Sequence, residues 1–148
     1  MKSGIETVVT EIARATKERG SARALYASQP AAGFPAPGDD QVERVLDIND
    51  LVVQHPEATF YVRVAGDSMV GAGIFPNDVL VVDRAIEATH GVIVVAAVNG
   101  ELVVKQLWQQ AGRYELHSAN QAYSAIVLGD DEEAFIWGVV VGSVRQFR

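Results

Sequence analysis

The sequence predicts a mostly β domain, antiparallel and Greek-key or barrel-like, behind a flexible N-terminal arm. Three observations predict it. Seven short runs rich in Val, Ile and aromatic side chains follow one another from residue 59 onward. Each is bounded by Gly, Pro, Asn or Asp, and no long helical periodicity separates them, which argues against alternating β-α units. With 148 residues, 49% hydrophobic and 21% charged, the chain can bury the core of one such domain.

Taken in order, residues 3–19 read as an amphipathic helix, because Ile5, Val8, Val9, Ile12 and Ala15 or Thr16 recur at three- and four-residue steps before Gly20. Ser3-Gly4-Ile5-Glu6 matches a capping box. A stripe this narrow is marginal alone in water, so the helix is expected either to dock weakly or to serve as a solubilising extension. "ASQPAAGFPAPGDD", residues 27–40, holds three prolines and two glycines and is expected to be exposed and extended. It either simply joins arm to domain or presents an extended backbone that a strand edge can hold. "QVERVLDINDLVVQH" (41–55) reads as a brief helix or turn-rich entry ended by Pro56. The β runs are 59–65, 78–84, 91–98, 101–108, 113–119, 125–129 and 134–147, and Asn99-Gly100 between two of them is a hairpin signal.

Charge and composition bound the function. Residues 1–31 carry five basic and three acidic side chains, leaving seven basic against 16 acidic in the remainder. An acidic body repels phosphate backbones, so no direct DNA binding is expected. No run approaches a membrane span, and charges at Glu6, Glu11, Arg14 and Lys17 interrupt any signal-like core, so a cytoplasmic protein with no membrane contact is expected. The absence of cysteine removes thiolate chemistry and disulfides. His55, His90 and His117 lack ligand spacing, and neither a metal nor a cofactor is expected. With Asp67 and Trp108, the first two of these histidines read as turn, packing or edge residues.

Two stretches carry candidate chemistry. In "LVVKQL", Val103, Lys105 and Leu107 share one face of a strand, so Lys105 projects from an apolar row. Either its stem packs while the ammonium reaches water, or the amine is withdrawn from water. A desolvated amine loses its proton more readily and becomes a usable base. In "VAGDSMVG" (64–71), Gly66-Asp67-Ser68-Met69 follows directly on a strand. A tight turn there would project the Ser68 hydroxyl and aim the backbone amides of Ser68 and Met69 at one spot, as an oxyanion hole requires. A serine is a poor nucleophile until a base takes its proton, and a lysine can do so without histidine.

With the lysine of "VVKQL" and the "GDSM" turn, the stretches "GFPAPGDDQVERVLDINDLVVQHPEATFYVRVAGDSM", "VVDRAIEATHGVIVVAAVNGELVVKQL" and "NQAYSAIVL" closely resemble the LexA/UmuD family of S24 serine peptidases, over about Gly33 to Arg148. The resemblance implies a LexA/signal-peptidase-like β domain at 33–148 and a removable arm at 1–32, a short helix plus linker. It implies Ser68 as nucleophile, Lys105 as general base, and Ala32-Gly33 as the bond cut, 35 residues before the nucleophile. It further implies self-processing stimulated by a RecA filament on single-stranded DNA. The shortened homodimer would then join a UmuC-type Y-family polymerase as accessory subunit in error-prone translesion synthesis during the SOS response.

Other readings compete. A GDSL-type esterase shares Gly-Asp-Ser but needs a histidine near its C-terminus, and none follows His117. A signal peptidase also pairs serine with lysine but requires a membrane anchor. A LexA-type repressor would need a helix-turn-helix before the linker. A catalytically silent scaffold is the remaining alternative.

Overall fold

Each of the seven β-rich runs forms a strand in the computed structural model, which describes residues 5–15, 23–26, 42–120, 122–129 and 133–148. These strands are β4 (Thr59–Ala65), β5 (Val79–Asp83), β6 (Ile93–Val98), β7 (Glu101–Gln110), β8 (Arg113–His117), β9 (Ile126–Val127) and β10 (Ala134–Val144). Three strands precede them, β1 (Val8–Arg14), β2 (Arg23–Tyr26) and β3 (Val42–Leu46), and a short helix α1 (Ile48–Val52) follows β3. The linker, with Ala32 and Gly33, lies outside the described residues.

All the pairings are antiparallel, and the main sheet runs β1-β4-β5-β10-β6-β7-β8-β9, while β2 and β3 form a separate ribbon. Val8 of β1 also pairs with Val103 of β7, so the first six strands of that order close on themselves as a barrel. Closure removes two sheet edges that would otherwise stay unpaired.

Two tight turns set the register around β7. Asn99 and Gly100 both take left-handed backbone (φ 51° and 83°), the geometry a two-residue hairpin turn needs, and Val98 faces Glu101 across it. Ala111 and Gly112 repeat this between Gln110 and Arg113. Val62, Val64, Leu80, Val82, Val95 and Val104 then meet in one buried cluster. Val94, Val103, Leu107, Leu116 and Val139 meet in a second. The two clusters occupy opposite faces of β7, since Val103 and Val104 point opposite ways.

The N-terminal segment departs from the sequence expectation. Where residues 3–19 were predicted helical, Val8–Arg14 is a strand paired with β4 from Val8↔Ala65 to Arg14↔Phe60, with a bulge between Val9 and Glu11. The apolar spacing suits a helix, but Val8, Val9 and Thr10 are β-branched and stiff at χ1, and β4 offers a row of backbone partners that a lone helix lacks. The entry segment also differs in part. It contains β3 and then α1, capped by Asp47 accepting from the Asn49 amide at 2.9 Å, and Pro56 opens a 3-10 turn instead of ending the helix. No helix among the described residues is long and apolar enough to cross a membrane.

The C-terminal end is tied back by a bidentate pair. Arg145 donates to Asp78 from Nε at 2.8 Å and from Nη2 at 3.0 Å, and its guanidinium lies 4.1 Å from the Phe75 ring centre. The Arg145 hydrogen bond, helped by the Phe75 amide, holds the Asp78 carboxyl below its ordinary value of 3.8 despite burial. A carboxyl depressed in the folded state stabilises the fold above its unfolded value and ceases to do so as pH falls through the folded one. This contribution is therefore complete above pH 3.8 and fades below it. Arg145→Met is expected to move the acid-unfolding midpoint, followed by tryptophan fluorescence, to higher pH; an unmoved midpoint would show that the pair does not carry acid stability.

Candidate active site

Ser68 sits in the turn that leaves β4, and a glycine on each side of it, two residues before and three after, is constrained by close approach. Gly66 has φ 96°, and a Cβ on it would stand 2.1 Å from the Glu6 carbonyl oxygen. Gly71 faces the Ala119 carbonyl, which a Cβ would meet at 2.5 Å. Only glycine fits at either position. The Ala119 amide contacts Met69 Sδ at 3.4 Å, so the segment after β8 is docked on the serine turn. Ser68 and Met69 are fully buried.

Lys105 reaches the same place from β7. Its residue is 2% exposed, so the lysine is withdrawn from water and does not snorkel. Its Nζ donates to Ser118 Oγ at 2.8 Å and forms an ion pair with the Glu6 carboxylate. The Tyr123 ring lies 5.9 Å from the ammonium. Burial, with the charges of Asp67 and then Glu6 nearby, pushes the Tyr123 phenol above its ordinary value.

Residues 5–8 run between these two side chains. The Thr7 amide donates to Ser68 Oγ at 2.8 Å, and the next residue back, Glu6, holds Lys105. The Ile5 amide donates to Asp67 Oδ1, and the Asp67 amide returns a bond to the Ile5 carbonyl, both at 2.8 Å. On the other side the Val104 amide donates to the Thr7 carbonyl at 3.0 Å. Ser68 and Lys105 thus border one groove from opposite walls, bridged by two consecutive residues, and no direct hydrogen bond joins them among the described residues. The amides of Ser68 and Met69 make no backbone hydrogen bond among the described residues, whereas the neighbouring Asp67 amide is engaged.

The histidines lie in other interactions. His55 Nδ1 is 2.6 Å from buried Asp83, His90 Nδ1 accepts from the Gln109 amide, and His117 pairs with Glu115 and stacks on Trp108. Among the described residues no group of three or more acidic or histidine side chains could hold a metal.

Glu6, Thr7 and Ser118 were not singled out from the sequence. Ser118 had a signal: the Ala111-Gly112 turn sets Gln106 opposite His117, which brings the next residue of that strand beside Lys105. Glu6 had a misleading one, the capping-box spacing to Ser3.

Comparison with known proteins places this arrangement in context. The Peptidase S24-like family matches residues 24–141. Protein MucA of Salmonella typhimurium is 39% identical over 121 residues, 81% of this chain and 82% of its own length. Protein SamA of Salmonella typhimurium strain LT2 is 40% identical over 124 residues, 84% and 86%. A LexA repressor of Syntrophotalea carbinolica is 40% identical over 135 residues, 91% of this chain and 65% of the repressor.

The contacts at Gly66 can be tested directly. Gly66→Ala adds a Cβ where φ is positive, costing about 1–2 kcal/mol by itself, and drives it into the Glu6 backbone. Hydrogen exchange at the Thr7 and Asp67 amides is expected to accelerate in this variant; protection equal to wild type would show that residues 5–8 are not held against Gly66.

Proposed function

The chain belongs to the Peptidase S24-like family, and on that premise we propose that it is a self-processing serine peptidase in which Ser68 attacks the Ala32-Gly33 bond and Lys105 is the base. The observation that carries this reading is the burial of Ser68 and Lys105 on opposite walls of a single groove that already holds an extended strand of the chain.

The chemistry follows from that placement. With the scissile segment in the groove, neutral Lys105 Nζ takes the Ser68 hydroxyl proton as Oγ bonds to the Ala32 carbonyl carbon. The oxyanion is held by the amides of Ser68 and Met69. Collapse breaks the Ala32-Gly33 bond, and the departing Gly33 amine receives the proton from Lys105. A water molecule then gives its proton to Lys105 and its oxygen to the acyl carbon, releasing residues 1–32 with a new carboxylate and restoring Ser68.

The groove suits a peptide as a strand. Ile5 and Thr7 are bound through their backbone amides and carbonyls by Asp67, Ser68 and Val104, a mode that any extended segment can adopt. Pro30, Pro35 and Pro37 each disfavour helical geometry in the residue before them, a property of the sequence that suits the extended reading proposed for the cut segment. A cleft of about 460 Å³ opens beside Glu6 and Lys105, toward Val98 and Ile126, and provides room for side chains. Ser118 holds the amine by a hydrogen bond from the body of the domain, so that partner remains after the arm has gone.

In the same reading, a RecA filament on single-stranded DNA stimulates processing, and the shortened chain, as a homodimer, serves as accessory subunit to a UmuC-type Y-family polymerase in SOS mutagenesis. The acidic body fits regulation through protein contacts, since it carries no electrostatic footprint for DNA.

Ser68→Ala and Lys105→Ala are each expected to slow arm removal by at least about 10³-fold while thermal unfolding stays cooperative, as followed by intact mass. A Lys105→Ala chain that processes at the normal rate would remove the base assignment. N-terminal sequencing of the product is expected to read Gly33-Phe34-Pro35, and any other start would relocate the cut.

A further inference from the structure

The strand that fills the groove is not the segment to be cut. Residues 5–8 occupy it, and they engage both reactive atoms at once. One lone pair of Ser68 Oγ accepts the Thr7 amide proton, and the Lys105 nitrogen is ion-paired with Glu6. In that pair the nitrogen is an ammonium, with no lone pair to receive the serine proton. Thr7 is fully buried, and Val8 is flanked by Ala65 on one side and Val103 on the other, so the strand fills the full width between β4 and β7.

The bound strand is placed to inhibit and not to react. Its N-H, not its carbonyl carbon, is what meets Ser68 Oγ. The Glu6 carbonyl oxygen lies against Gly66, at 2.1 Å from where a Cβ would stand. The Asp67 amide is given to the Ile5 carbonyl.

The attachment is only partly apolar. Ile5 and Ile12 remain 70% and 49% exposed, while Val8 and Val9 each pack on one of the two core clusters. What holds the segment is backbone hydrogen bonding, that packing, and the ion pair of a half-buried Glu6 carboxylate.

We propose that the groove between β4 and β7 is a binding site for this chain's own residues 5–8, an extended strand bearing a carboxylate above Lys105, and that their occupancy keeps the Ser68-Lys105 pair idle until the strand leaves. The proposal rests on the peptidase reading of the site and names how that site is held at rest. The carboxylate is its specificity element: it is the group that matches the buried ammonium, which a neutral side chain in the same position would leave poorly compensated.

Two measurements on the full chain test it. In the first, unstimulated arm removal is timed by intact mass for wild type, Glu6→Gln and Glu6→Ala, with Ser68→Ala as the blank. Glu6→Gln is expected to process about tenfold faster than wild type, and Glu6→Ala at least as fast; rates at or below wild type in both would overturn the locking role. In the second, Val8→Cys and Val103→Cys are combined in a chain that has no other cysteine. Directly paired residues of adjacent strands are close enough for a disulfide. The bridge is expected to form on oxidation, to stop arm removal, and to release it again on reduction. Failure of the bridge to form would overturn the binding site whether or not the chain is a peptidase, and a bridged chain that still cuts at the reduced rate would overturn the idling. Absence of arm removal in every chain, stimulated or not, would overturn the peptidase reading instead, while bridge yield would still decide whether the strand occupies the groove.

Discussion

A lysine ammonium kept out of water is the constraint around which this domain is arranged. An isolated buried cation costs several kcal/mol even after relaxation, so the surrounding structure must supply partners in fixed positions. Lys105 has two that differ in kind: the Ser118 hydroxyl, from the segment that directly follows β8, and the Glu6 carboxylate, from the segment that leads into β1. Both are presented along the same edge of β7. β8 pairs there with Gln106–Gln110 and then ends, and β1 touches the edge again at Val103. Lys105 falls in the gap between them, where a side chain can be surrounded without the backbone of either neighbour lying over it.

That placement depends on register. A slip of one residue in β7 would turn Lys105 to the face of Val104, into the cluster with Val62, Val64 and Leu80. The two left-handed turns at Asn99-Gly100 and Ala111-Gly112 fix β7 against β6 and β8, and the apolar residues on both of its faces penalise any alternative. The serine wall is fixed differently, by close contact: Gly66 under the Glu6 backbone and Gly71 under the Ala119 carbonyl hold the turn between β1 and the strand end that carries Ser118. The two walls are therefore not independent, because the segment at 118–119 supports both the amine and the turn that carries Ser68.

Much of this was legible in the residues. Seven runs of β-branched and aromatic side chains became seven strands because each element is short, strongly biased and bounded by turn formers. The apolar row around Lys105 was visible from alternation alone, and the structure resolves its open alternative toward burial. What could not be read was pairing at long range. Val8, Val9 and Ile12 fit helical spacing, and only the existence of a strand partner 50 or more residues away makes them β1. Glu6 was assigned to a capping box for the same reason: a local hydrogen-bond pattern was available in the sequence, and its actual partner, Lys105, is 99 residues distant. The segment at 27–40, which bears the proposed cut, lies outside the described residues.

The position of the proposed cut relative to β1 gives the proposed resting state its direction. While the chain is whole, residues 5–8 are tethered to the groove, and a tether of this kind supplies an effective concentration of roughly millimolar order. A strand with weak intrinsic affinity can therefore hold the site. The proposed cleavage after residue 32 would convert the same contact into one between separate molecules. Retained only by its backbone pairing and the packing of Val8 and Val9, the strand would then leave with Glu6 while Ser118 stays. Dilution would do the rest: the bond broken would also be the bond that kept the inhibitor local, so the groove, vacated before the cut, would not be refilled by the piece that left.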